Sequence, residues 1–431
     1  RFLPLFVVQF LGAFNDQVYQ KAFIALVTYR LAEEVGVDVA LLGVIASGLF
    51  ILPFALVTPT AGQIADRVDK AKMMRVVKAW EIVVMGLAVI GYYTQNIVFL
   101  YFVLFLMGAQ SAMFAPIKYS VLPQYLHRSE LVGGNGLVQG FTFLAIIFGT
   151  ILGNELILTE HGVLVVSVTV VSIAVIGFVA SLFAPPALPT GAHPRVDWLV
   201  PRAIWRLVAM VYANRPAFRT MLLISWFWFL GATFLSLLPA YAKEVLRVDE
   251  GVLTVLLAAF SVGVALGAVG SETLTRGRVG LQVAPIGAVG LAVMAVELWF
   301  ATPPAPRPPE GALLDRGAFF AGLEGWRVLV DFVLLAGFAG VYVTPLNAVL
   351  QSVSPDDRRA QFIACSNVID SGFMVASAVF TGLLIALGLP VDAVLVLVTL
   401  SALPIATVVA RHAPETRMGR AVLAVWPMRE P

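Results

Sequence analysis

Gly62-Gln63-Ile64-Ala65-Asp66-Arg67-Val68-Asp69-Lys70-Ala71-Lys72 stands between two long apolar runs. Gly62, with no side chain, lets two helices approach closely. Asp66 suits a helix N-terminus, where unpaired N–H groups carry partial positive charge, and it can also pair with a basic residue of a neighbouring helix. Arg67, Lys70 and Lys72 then crowd positive charge into a short connection. Lys and Arg gather in the cytoplasmic loops of membrane proteins, so the stretch reads as a tight cytoplasmic turn between two membrane spans.

Composition extends that reading to the whole chain. Of 431 residues, 60% are hydrophobic and 13% charged, against about 45–50% and about 25% in soluble domains. An all-α polytopic membrane protein is expected. The net charge of +2 gives no electrostatic case for nucleic acid, and the single cysteine, Cys365, allows no intrachain disulfide. A spanning helix needs about 20 apolar residues. Breaks at charges, Gly and Pro leave twelve such runs, roughly 3–29, 40–63, 74–94, 97–122, 131–154, 162–184, 218–242, 251–273, 281–302, 327–351, 361–387 and 390–411. The first is too long and too polar at Asp16 for a cleaved signal peptide.

The basic residues orient the spans. With the N-terminus inside, 20 Lys and Arg fall on the inner side, Arg75 and Lys78 among them, and 6 outside, including Arg30, Lys243 and Arg307. Lys21 and Lys118 lie within spans. Both termini are therefore expected in the cytoplasm. Residues 185–217, with Pro185, Pro186, Pro189, Pro194 and Pro201, Trp198, Trp205 and several Arg, read as a cytoplasmic linker carrying a short interfacial basic helix. It separates six spans (1–184) from six more (218–412), followed by a tail at 413–431. Residues 303–326 read as a long outer loop.

Asp16 is the most informative single residue. An ionised carboxylate at the centre of a spanning helix is unfavourable by about 2.5–3.5 kcal/mol on insertion scales, and such residues usually mark a substrate or ion pathway. Gln9, Gly12, Asp16 and Gln20 fall on one helical stripe, beside Asn15. Lys21 lies about 140° around the helix from Asp16 and is a poor partner for it. In the fourth span, Pro116 and Pro123 bracket Lys118 and Tyr119 and are expected to break the helix around a cavity; a snorkelling interfacial role for Lys118 is equally open. Asn135 and Gln139 share a face of span 5, as do Asn367 and Asp370 of span 11; simple interhelical hydrogen bonding is the alternative for these. Glu81 and Asp331 are further buried-acid candidates. Trp226, Phe227, Trp228, Phe229 and Phe234 of span 7 could line an apolar slot, but four aromatics in a row cover every side of a helix and read better as lipid-facing bulk.

The two halves carry matching pieces. Ala115-Pro116-Ile117-Lys118 corresponds to Thr344-Pro345-Leu346-Asn347, and Asn135-Gly136-Leu137-Val138-Gln139 to Asn367-Val368-Ile369-Asp370-Ser371. Gly270-Ser271-Glu272 followed by Arg276-Gly277-Arg278 is a degraded copy of the Gly62 to Lys72 stretch. Parallel repeats of six spans place a binding site near the midplane between halves.

The Gly62, Asp66, Arg67, Lys70 pattern resembles the loop motif of the major facilitator superfamily, and the resemblance implies that these residues gate the cytoplasmic side during alternating access. Phe10-Leu11-Gly12-Ala13-Phe14-Asn15-Asp16, the Pro116 to Pro123 stretch and Glu130-Leu131-Val132-Gly133-Gly134-Asn135-Gly136-Leu137 resemble, more narrowly, the lysophospholipid transporter family. That resemblance implies flipping of lysophospholipid, chiefly lysophosphatidylethanolamine, across the bacterial inner membrane for re-acylation. It also implies an acyltransferase partner, or an acyltransferase domain fused behind the transporter. The chain stops at Trp426-Pro427-Met428 and the residues after it, which leaves a stand-alone protein and a truncated fusion both open. On this reading Asp16 takes the lipid ammonium, Lys118 the phosphate, and no cofactor is involved. Two departures from the family pattern are Gln139, where an acid is expected, and the lack of a basic residue on span 7 from Thr220 to Ala242. Proton-coupled efflux of drugs or small metabolites through Asp16, Asp331 or Asp370 is the alternative. Enzyme motifs such as His-Glu-x-x-His, a nucleophile elbow or a phosphate loop do not occur.

Overall fold

A computed structural model describes residues 1–27, 39–190, 196–301 and 313–412. Arg30, Arg195, Arg307, Arg417, Arg420 and Arg429 of the charge tally, the first part of the 303–326 loop, and the 413–431 tail with Trp426 to Met428 lie outside the described residues.

The described residues form helices α1 (Phe2–Leu26), α2 (Val39–Arg67), α3 (Lys70–Thr94), α4 (Ile97–Tyr125), α5 (Leu131–Leu158), α6 (Gly162–Leu182), α7 (Val200–Ala213), α8 (Arg215–Ala240), α9 (Glu250–Thr275), α10 (Ala284–Ala301), α11 (Arg316–Phe319), α12 (Leu323–Val353), α13 (Arg359–Ala386), α14 (Val391–Leu400) and α15 (Ala402–Arg411). Ten stretches are long and apolar enough to cross a membrane, α14 and α15 counting as one. The other two spans of a twelve-span fold are α1 and α3. Those two carry the polar stripe around Asp16 and the Lys70, Lys72, Arg75, Lys78, Glu81 series, so their apolar character is diluted by the residues that make the site.

Two expectations about elements need correction. Helix α4 is not broken by Pro116 and Pro123; both sit inside one continuous helix, since neighbouring groups in a packed membrane protein can supply what a missing N–H leaves unpaired. The last span is interrupted where none was expected: α14 stops at Leu400 and α15 resumes at Ala402. Pro404 supplies the cause, as it has no N–H for the Leu400 carbonyl and its ring crowds that carbonyl.

Contacts divide the chain into two compact units. One comprises Arg1–His127, Leu144–Phe218 and Gln351–Val368, the other Arg128–Phe143, Arg219–Leu350 and Ile369–Pro431. The core of the first is built on α1, α3, α4, α5 and α6, with Val18, Phe23, Met85, Leu104 and Val170 fully or almost fully buried. Two tyrosines tie it together: Tyr19 donates to the Leu100 carbonyl at 2.8 Å, and Tyr92 to the Tyr19 carbonyl at 2.9 Å. Helix α5 lies so close to α1 that a Cβ on Gly149 would stand 2.6 Å from the Phe14 carbonyl oxygen, and one on Gly153 2.6 Å from that of Val18. Without water to drive apolar groups together, such close backbone packing between small residues holds membrane helices to each other.

The linker helix α7 belongs to this unit. It buries Ala203, Leu207 and Val211 along one stripe and leaves Trp205 75% exposed. Asp197 fixes its start, accepting from Arg202 Nε at 2.7 Å and Arg206 Nη1 at 2.8 Å, while its backbone N–H donates to Gln63 Oε1 at 2.8 Å. The Arg202 guanidinium bonded to Asp197 holds that carboxyl below its ordinary value.

In the second unit, α9 crosses α12 at Gly263, Gly267 and Gly340, where backbones touch. Helices α8 and α13 are joined by Ser225 donating to Asp370 Oδ1 at 2.6 Å and by the Thr233 and Ser377 hydroxyls at 2.8 Å.

Candidate functional site

Asp16 lies midway along α1, only 9% exposed. Its Oδ2 accepts from Ser111 Oγ of α4 at 2.5 Å. Its Oδ1 is buried and accepts no hydrogen bond from the described residues. The neighbouring Asn15, fully buried, donates through Nδ2 to Glu81 Oε1 of α3 at 3.0 Å. Gln110 Nε2 donates to Glu81 Oε2 at 3.0 Å, and its own Oε1 lies 3.2 Å from Ser111 Oγ. A serine hydroxyl has one proton, and here the shorter contact, to the carboxylate, is the one it serves.

Lys78 completes the cluster, its Nζ 2.5 Å from Glu81 Oε2. Lys78 is expected among the cytoplasmic loop charges, yet it is fully buried. Glycines make the space: a Cβ on Gly12 of α1 would stand 2.7 Å from Lys78 Nζ, and one on Gly177 of α6 3.7 Å away. The Phe114 ring faces the ammonium, 5.6 Å from its centroid. Three of the four residues on the α1 stripe, Gln9, Asp16 and Gln20, are buried as well.

Charge accounting within the cluster is simple. Lys78 and Glu81 neutralise each other. Asp16 is then the uncompensated carboxylate, held by one hydroxyl. Lys118 is half-buried on α4, its ammonium 4.7 Å from the Tyr119 ring centroid. It makes no ion pair with Asp16 among the described residues, whose buried ion pair is Lys78–Glu81.

The other expected site residues distribute as follows. Asn135 and Gln139 are buried on α5 in the second unit, and Asn135 Nδ2 bonds back to the Leu131 carbonyl at 2.8 Å. Asp370, also in the second unit, is buried against Ser225. Asn367 is half-buried in the part of α13 that belongs to the first unit. The aromatics of α8 correct another expectation: Trp226, Phe227 and Phe234 are buried in protein and only Trp228 and Phe229 are half-exposed. Trp226 is held by its Nε1–H donating to Ser401 Oγ at 2.9 Å, a partner created by the interruption between α14 and α15.

The Gly62 to Lys72 stretch makes a junction inside the first unit. Asp66 is buried, and its Oδ1 accepts the Ala360 N–H at 2.9 Å while Oδ2 accepts the Gln361 N–H at 3.0 Å. Those N–H groups open helix α13, which leaves its first donors unpaired by its own carbonyls. Backbone donors and Gln361 Nε2 occupy Asp66, rather than a basic side chain. A Cβ on Gly62 would lie 2.5 Å from Ala364 Cβ and 2.9 Å from the Ala360 carbonyl oxygen. Arg67 points to solvent. Lys70, the first residue of α3, is buried. The degraded copy repeats the arrangement in the second unit, where Gly136 abuts the Ala268 carbonyl and the Glu272 carboxylate lies against Gly133, near the start of α5.

Twelve membrane helices, two internal copies of a glycine-acid junction, and a buried cluster with one uncompensated carboxylate define a polytopic transport protein. The Major Facilitator Superfamily profile matches residues 5–326. The chain belongs to that superfamily. Among curated relatives, the lysophospholipid transporter LplT of Klebsiella pneumoniae (strain 342) is 27% identical over 403 residues, covering 91% of this chain and 90% of the relative. That of Serratia proteamaculans (strain 568) is 26% identical over 355 residues, covering 81% and 79%. Among solved structures, the Escherichia coli fucose:proton symporter FucP superposes with a TM-score of 0.69 at 15% identity, covering 95% of this chain and 98% of that one. A bacterial homologue of the iron transporter ferroportin in an outward-facing state gives 0.67 at 16% identity, with 95% and 98% covered. These structural likenesses speak for the fold.

Proposed function

We propose that the protein moves lysophospholipid, lysophosphatidylethanolamine foremost, across a bacterial inner membrane by alternating access of the halves 1–184 and 218–412. The observation that carries the reading is Asp16, a membrane-buried carboxylate with no countercharge in contact and one oxygen without a donor among the described residues. A lipid ammonium supplies both charge and N–H donors. Lys118 takes the phosphate as a point charge. Asn15, Gln20, Tyr119, Asn135, Gln139, Asn367 and Asp370 are the remaining headgroup candidates. Gly62, Asp66, Arg67 and Lys70 form the cytoplasmic latch. The names of the curated relatives support this substrate class. Both termini face the cytoplasm on this reading, where an acyltransferase would receive the product.

The test is movement of labelled lysophosphatidylethanolamine between leaflets of proteoliposomes. Asp16→Asn and Lys118→Ala should each reduce the rate about tenfold or more, the loss of one charge-assisted contact of about 1.5–3 kcal/mol, with elution as a monodisperse protein unchanged. Unaltered rates in both variants would sink the headgroup assignment. Asp331, buried with an oxygen lacking a described donor, favours proton coupling as a second reading. Export of a soluble substrate that stops when the proton gradient is collapsed, with no lipid movement, would establish it instead.

A further inference from the structure

A cavity of about 580 Å³ opens in the second unit between α8, α13 and α15, within the size range of small-molecule and lipid sites. Its rim is basic: Arg219 near the start of α8, and Arg411 and His412 at the end of α15. Its wall is apolar, with Leu222 and Trp226 on one side and Val408 on another. Among the described residues no Asp or Glu lines it.

His412 Nδ1 lies 2.7 Å from the Val408 carbonyl oxygen, which can only accept, so the ring proton sits on Nδ1. Nε2 then accepts from Arg219 Nη1 at 3.1 Å. The imidazole is neutral in this arrangement, and the rim carries the two guanidinium charges. Arg219 makes no ion pair among the described residues and leans on a neutral ring. Trp226 is fixed by Ser401 and meets Tyr342 edge to face, with centroids 5.3 Å apart, so the wall is rigid. From Arg219 to Trp226 the helix rises about 10 Å. Positive charge therefore sits where two membrane helices end, and apolar wall continues inward from it. An amphiphile with a negative head and a hydrocarbon tail has this shape.

We propose that this cavity holds a resident anionic glycerophospholipid of the bilayer, its phosphate on Arg219 and Arg411 and one acyl chain along Leu222, Trp226 and Val408. The occupant differs from the transported lipid proposed above. A zwitterionic head brings an ammonium that needs an acid, which the Asp16 cluster has and this rim lacks among the described residues.

Thermal unfolding of the purified full-length chain in detergent tests it. Phosphatidylglycerol should raise Tm by about 2–4 °C, with smaller effects from phosphatidylcholine and from inorganic phosphate. The variant Arg219→Gln/Arg411→Gln should lose that shift. Equal protection by phosphatidylcholine, by phosphate alone, or in the double variant overturns the proposal. So does equal protection by lysophosphatidylethanolamine that the double variant abolishes, since the cavity would then be part of the transport route. Should the double variant not fold, phosphatidylglycerol with brominated chains replaces it. Quenching of tryptophan fluorescence should fall in Trp226→Phe relative to the unaltered protein, and equal quenching overturns the proposal.

Discussion

Glu81 accepts from three side chains on three helices, Asn15 of α1, Lys78 of its own α3 and Gln110 of α4. Removing one charge of a buried pair leaves the other uncompensated, which costs about 3–5 kcal/mol, whereas removing both leaves only lost hydrogen bonds. Lys78→Met should therefore lower Tm in detergent markedly, and Lys78→Met/Glu81→Gln should recover part of the loss. A double variant no more stable than Lys78→Met would show that the two charges are not coupled. This scale also shows what a sequence can disclose. Asp16 stood out because a carboxylate in an apolar run has few innocent explanations. Lys78 did not, because it follows Lys70, Lys72 and Arg75 and so reads as the last of a loop series. The signal for it was Glu81 one helical turn further on, three residues being the spacing of neighbours on a helix face. Gln110 and Ser111 left no such trace; neutral polar residues in a span are too common to single out.

Helices meet at glycines, and their tolerance follows from what stands opposite. At Gly62 the opposing atoms are the Ala360 carbonyl and the Ala364 methyl, neither of which can turn aside. Gly62→Leu should thus push α2 from α13, strip Asp66 of its backbone donors and cut lipid movement at least tenfold in proteoliposomes. Gly48, which has open space around its Cβ position, should accept alanine without loss. Movement by Gly62→Leu at the unaltered rate would refute a latch at this junction. The spans themselves were legible from length and hydropathy, and so was the linker helix, from Trp198, Trp205 and its arginines. The fate of each proline was not. Pro116 and Pro123 leave α4 unbroken, whereas Pro404 accompanies a break at Ser401. What decides between these outcomes is which neighbours surround the freed carbonyl, and a linear pattern does not contain them.

At the scale of the molecule, each compact unit draws on both halves of the sequence. Asp66 and its donors are separated by 294 and 295 positions. A fragment ending before residue 191 should be unstable alone and accumulate when a fragment carrying residues 196–431 is produced with it, the two co-purifying through an affinity tag on either. Equal yields of the first fragment with and without the second would contradict this. Apolar runs made the twelve spans legible and internal repetition their six-plus-six plan, but pairing of α2 with α13 and of α9 with α5 emerges only in three dimensions.

The same separation sets a schedule during synthesis. Every partner in the Asn15, Asp16, Lys78, Glu81, Gln110, Ser111 cluster has left the ribosome once the fourth span is made, so this polar group can close early. Asp66 must wait for Ala360 and Gln361. At about 5–20 residues per second, the nascent chain carries an unmet carboxylate at the end of α2 for about 15–60 s. Through that interval an unfinished molecule differs from a finished one at that end of α2, where the junction with α13 is still open.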